Sequence, residues 1–117
     1  MSLNLAVIRG CCSSAPEVRT LASGRTLAVL QVTARPETGA AVSVPVVVWG
    51  PAAWVESLGE GDEIVAVGRV RRRFYQAGGS TASKVEVEAD LVARGGDRRR
   101  VAVALRRAHE MVDALAP

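Results

Sequence analysis

Hydrophobic and polar positions alternate along most of the chain, and the alternation predicts strands. Asn4 to Gly10 (NLAVIRG) reads as a first strand. Ala15 to Arg19 (APEVR) reads as a short extended piece after a Cys/Ser-rich turn, and Ala22-Ser23-Gly24-Arg25 as a further turn. In Thr26 to Ala34, Ala28, Leu30 and Val32 share one face, while Leu27, Val29, Gln31 and Thr33 share the other. Val42 to Trp49 repeats the pattern, with Val44, Val46 and Val48 opposed to Pro45, Val47 and Trp49. Pro45 cannot donate to a ladder, so this strand has an edge or a bulge there.

Pro51 to Leu58 predicts a short helix, with Pro51 in its first turn and Gly59 or Gly61 as its stop. Asp62 to Tyr75 predicts the next strand, whose faces are Ile64, Ala66, Gly68 and Val70 on the interior side and Arg69, Arg71, Arg73 and Tyr75 on the other. Gly78-Gly79-Ser80 marks a hairpin loop. Lys84 to Val92 then sets Val85, Val87, Ala89 and Leu91 against Lys84, Glu86, Glu88 and Asp90. Beyond Gly95-Gly96, Asp97 suits a helix cap, and Val101, Leu105, Ala108, Val112 and Leu115 form one apolar stripe. The order predicts an all-β domain over residues 1–94, a five-stranded OB-fold Greek-key barrel with a short helix between its third and fourth strands. An Arg-rich amphipathic helix over 95–117 is appended to it.

Composition narrows the function. The 117 residues carry 15 Lys/Arg against 12 Asp/Glu, a formal charge of +3, which permits a polyanion partner without demanding one. Residues 1–94 hold ten basic against nine acidic side chains, so binding there requires clustering. Adjacent Cys11 and Cys12 are poorly placed to bridge one another, and free thiols suit a reducing cytosol. With His109 as the one histidine, no metal site and no cofactor are expected. No paired acid and base, nucleophile network or phosphate cradle is apparent, so the chain is expected not to be an enzyme and to take no small-molecule substrate. No stretch approaches a membrane span, and a cytoplasmic location is expected.

The densest basic cluster is GRVRRRFY, residues 68–75. Guanidinium groups leading to a ring suit single-stranded nucleic acid, whose phosphates need cations and whose bases need a surface to stack on. The same charges also suit an edge strand guarded against aggregation. Trp49 ends its strand with outward parity, as a stacking ring or as a packed one. Trp54, on the short helix, is assigned to packing. Arg9, Arg19, Arg25 and Arg35 are scattered charges able to extend a phosphate track, and Lys84 faces the cluster from the paired strand.

These segments in order resemble the bacterial single-stranded-DNA-binding protein family. The resemblance rests on Asn4 to Gly10, Ala15-Pro16-Glu17-Val18-Arg19, Ser23-Gly24, Leu27 to Val32, Val46 to Gly50, Gly61 to Val70 and Val85 to Val87. It implies an OB-fold, sequence-tolerant binding of single-stranded DNA in replication, repair or recombination, a nucleoid-associated location, and a homotetramer built from dimers. It also places Trp49 as a stacking ring and Arg71, Arg73 and Tyr75 on a basic, ring-bearing strand; together with the basic cluster and the scattered charges, the expected binding set is Trp49, Arg69, Arg71, Arg73, Phe74, Tyr75, Arg9, Arg35 and Lys84. The chain lacks rings at 35–39 and 42–44, which implies weaker binding than is usual there. It ends in a basic helix instead of an acidic tail, which implies a shorter paralogue or a truncated chain. A protein-interaction adaptor on the same fold, or an RNA binder, is the competing expectation.

Overall fold

A computed structural model describes residues 2–115. Met1, Ala116 and Pro117, at the ends of the two expected segments, lie outside the described residues. Six strands and two helices follow in order: β1 (Ala6–Cys12), β2 (Glu17–Thr20), β3 (Thr26–Ala34), β4 (Val42–Trp49), α1 (Ala53–Glu56), β5 (Glu63–Ala77), β6 (Ser80–Arg94) and α2 (Arg98–Asp113). The protein is therefore mainly β, with one C-terminal helix. The extended piece at Glu17 is a sixth strand, because it pairs along Glu17–Thr20 with the start of β3. The short helix is a single turn, shorter than expected, with Pro51 outside it and Ala52 as its cap. No helix among the described residues is long and apolar enough to cross a membrane.

The strands form one sheet in the order β1-β5-β6-β4-β3-β2, and β1 also pairs with β3. The pairings thus run β1 to β5, β6, β4, β3 and back to β1, with β2 outside the ring on β3 alone. β1 achieves this by pairing with β5 along Ala6–Cys11 and with β3 at Cys11 and Cys12. All these contacts are antiparallel except β4 with β6, which run parallel over Val46–Val48. Pro45 lies one residue before that pairing starts, where β4 has a free edge.

The inward faces of β3 and β4 are the ones the alternation marked. Ala28, Leu30, Val32 and Val46 are fully buried, with Val44 and Val48 packed against them. Ile64, Ala66 and Val87 complete the same core, and Val55 and Leu58 close its end. Val70 does not share it: it is 46% exposed, because β5 and β6 run on past the core as a projecting hairpin. A radius of gyration of 15.1 Å, against about 13 Å for a compact chain of this length, reflects that projection.

A bulge corrects the reading of β6. Val67 pairs with Leu91 but Gly68 pairs with Ala89, so Asp90 has no partner and the faces exchange beyond it. Val92 joins the main core, while Leu91 turns outward to a second cluster with Leu5, Val67, Ala104 and Ala108. Gly68 permits the close approach: a Cβ there would collide with the Glu88 carbonyl oxygen.

α2 covers that second cluster. Asp97 caps it, accepting from the Arg100 backbone N–H at 3.1 Å. Its buried positions are Ala104 and Ala108, not the expected Leu105 and Val112, which are 40% and 49% exposed. The stripe is rotated toward the smaller side chains, which let the helix approach β5 and β6 closely.

Candidate nucleic-acid interface

The outward face of the sheet carries a cleft of about 220 Å³ that spans five adjacent strands. Its floor is two matched rows. Leu27, Val29 and Gln31 of β3 stand directly beside Trp49, Val47 and Pro45 of β4. Leu27 and Val47 are buried although they point away from the core. β2 forms one wall, where Glu17 pairs with Val29 and Arg19 with Leu27. The projecting hairpin forms the other, with Arg71 and Arg73 on β5 and Lys84 and Glu86 on β6.

The hairpin's register decides the electrostatics. Gly78 and Gly79, both at positive φ (56° and 83°), make a two-residue turn. From there Arg73 falls opposite Lys84, Arg71 opposite Glu86 and Arg69 opposite Glu88. Glu88 accepts from Arg69 Nε at 3.1 Å, from Arg71 Nη1 at 2.6 Å and from the Trp49 indole N–H at 3.2 Å. The bond from Arg69, aided by Trp49 and Arg71, holds the Glu88 carboxyl below the usual carboxylate range against the opposing effect of burial. Glu86 is 3% exposed, and its Oε1 lies 3.2 Å from Arg73 Nε and 3.7 Å from Arg71 Nη2. Neither Glu86 Oε1 nor Arg73 Nε makes an aligned hydrogen bond, so this pair is held by charge.

Of the nine expected binding residues, Trp49, Arg71, Arg73 and Lys84 line the cleft. Arg69 adjoins it through Glu88, and Tyr75 lies one step out along the hairpin, its ring 5.8 Å from the Arg73 guanidinium. Phe74 is on the opposite face of the hairpin and 67% exposed. Arg9 pairs with Glu63 at 2.7 Å, and Arg35 lines a separate hollow with Cys11, Cys12 and Glu60. Burial pushes the Cys12 thiol above its ordinary value.

The residues not foreseen are the apolar floor, Glu17, and the two glutamates that hold the arginines. Counting outward from Gly78-Gly79 as a tight turn would have paired Arg71 with Glu86 and Arg69 with Glu88. Arg19 and Arg25, expected as scattered charges able to extend a phosphate track, are both brought to the site: Arg19 in its wall, and Arg25 over the Trp49 ring at 4.1 Å. Trp54 packs at the core and meets Arg94 and Arg100. No protein-family model matches the chain, and no curated protein matches it.

Proposed function

We propose that this protein binds single-stranded DNA, without marked sequence preference and without catalysis, in the cleft across β3 and β4. The closed circuit of strand pairings, with α1 between β4 and β5, supports reading the sheet as a five-stranded OB-fold barrel in which β2 extends β3. Ligands of that fold lie on the face of its second and third strands, here β3 and β4, between the first loop and the final hairpin. The observation that carries the reading is the cleft's make-up: an apolar floor ending in Trp49, bordered by four cations and two carboxylates. An unpaired base gains by stacking on such a floor, and its phosphates gain from the cations at the walls. The resemblance stated above favours DNA over RNA, and it is the basis for proposing a homotetramer and a role in replication, repair or recombination.

The glutamates shape the affinity. Arg69, Arg71 and Arg73 are held in fixed positions by Glu86 and Glu88, which reduces their net field but leaves guanidinium donors free for phosphate. Binding is therefore of modest strength and salt-sensitive. Titrating the protein with oligo-dT at low and high salt, with duplex DNA as control, tests this. Saturable binding that weakens with a slope of about −0.7 per phosphate contacted supports it. Absence of binding at low salt refutes it.

A second reading has its own observation. Leu105 and Val112 of α2 are exposed beside Leu5, Val7 and His109, forming a shallow apolar hollow. That surface favours a protein-interaction adaptor, which the same titration would leave as the surviving reading.

A further inference from the structure

The cations around the cleft are not equivalent. Arg19 pairs with Glu17, Arg69 and Arg71 with Glu88, and Arg73 with Glu86. Arg25 takes part in no ion pair among the described residues. Its guanidinium carbon instead lies 4.1 Å from the centroid of the Trp49 ring. Arg25 is exposed, and the backbone beneath it is fixed: Leu21 N–H donates to the Arg25 carbonyl at 2.8 Å, and Gly24 N–H to the Leu21 carbonyl at 2.9 Å. The ring is fixed too, because its N–H donates to Glu88. A rigid aromatic surface is thus covered by one side chain that is free to swing on a rigid turn.

At 4.1 Å the guanidinium fills the space where a stacked base would lie. The two cannot share that face of the ring. We infer that Arg25 is an exchangeable cover for Trp49: an incoming base displaces it from the ring, and the displaced guanidinium pairs with a phosphate of the same strand. The inference rests on the nucleic-acid reading above. The exchange is favourable because an exposed cation on a ring contributes less than a base stacked on it. Swung aside, Arg25 remains within its own side chain's reach of the ring, where the backbone of the bound strand must pass. In the free protein the cover keeps a half-buried indole from standing open to water.

The exchange has a signature that neither a plain cover nor a plain phosphate contact shares. Arg25→Ala removes a competitor for the ring, which strengthens binding about two- to fivefold at any salt. It also removes one phosphate contact, which makes the slope of log K against log salt shallower by about 0.7. The lines for the wild type and the variant must therefore cross, at between about 0.1 and 0.4 M salt. Below the crossing the variant binds more weakly; above it, more tightly. Lys84→Ala is the control, since Lys84 is a cation of the cleft with no ion pair among the described residues and no ring. Its line should be shallower and converge on the wild type near 1 M without crossing.

Binding of labelled oligo-dT by anisotropy, from about 20 mM to about 0.5 M salt, reads all three lines. A crossing for Arg25→Ala alone supports the exchange. An Arg25→Ala line that is tighter at every salt makes Arg25 a cover only, and one that is weaker at every salt makes it a phosphate contact only. Either overturns the inference while leaving the nucleic-acid reading intact. A wild type that fails to bind oligo-dT even at the lowest salt overturns both.

Discussion

The indole N–H of Trp49 donates to the Glu88 carboxylate at 3.2 Å, and Arg69 and Arg71 donate to the same group. One acidic side chain on β6 thereby fixes an aromatic ring on β4 and two guanidiniums on β5. Glu88→Ala strands the half-buried indole N–H, frees Arg69 and leaves Arg71 with Glu86 alone, at 3.7 Å. The expected cost is about 1–2 kcal/mol in urea unfolding. Glu88→Gln keeps an acceptor for the indole and should recover a good part of it. Equal midpoints for Glu88→Ala and wild type would show that the network contributes nothing to stability.

The same network sets a pH dependence. The folded protein holds the Glu88 carboxyl below its ordinary value of 4.5, chiefly through the bond from Arg69. A group whose folded pKa is depressed contributes its full stability above the unfolded value and loses it as pH falls through the folded one. Urea midpoints should therefore lose the Glu88 contribution only below about pH 4.5. Glu88→Gln should show a smaller loss over that window than wild type. Identical acid profiles for the two proteins would exclude Glu88 as a contributor.

Trp49 and Phe74 are both aromatic and both near the basic cluster, yet they lie on different faces. Trp49→Ala should weaken oligo-dT binding by about 1–3 kcal/mol, the worth of one stacked base. Phe74→Ala should leave affinity unchanged within about twofold, since nothing bound in the cleft reaches its ring. A large loss from Phe74→Ala would mean that the strand wraps the hairpin instead of following β3 and β4.

The rotated stripe of α2 is testable by paired substitutions one residue apart. Ala104 is 1% exposed against Val67 and Leu91, so Ala104→Asp buries an unpaired charge. A loss above about 3 kcal/mol in urea unfolding is expected. Leu105 is 40% exposed, and Leu105→Ser should cost no more than about 1 kcal/mol. The reverse order would place Leu105 in the interface.

The alternation itself was read correctly along β3 and β4, which pair without a bulge. Ala28, Leu30 and Val32 went inward, and Leu27, Val29 and Gln31 outward. Asp97 likewise declared its helix, because a cap needs only the amides of the next turn. Of the site, Trp49, Arg71, Arg73 and Lys84 were legible as a ring and charges of the right parity. The apolar floor was not. Leu27 and Val47 sit on an outward face, and nothing local to them says that the face is covered.

What the sequence determined by itself was therefore short in range: which side chains alternate, where turns fall, and where the last helix starts. Those properties follow from neighbours a few residues apart. Tertiary structure decided what long-range pairing decides. The bulge opposite Gly68 turned Leu91 out and Val92 in, because two strands of unequal residue count had to stay in register. The hairpin register set Glu86 and Glu88 against the arginines, converting a bare basic strip into a braced one. Pairing of β2 with β3 and of β6 with β4 brought Arg19 and Arg71 to opposite walls of one cleft. The packing surface of β5 and β6 chose Ala104 over Leu105, since the helix gains more by approaching closely on small residues than by burying a larger one.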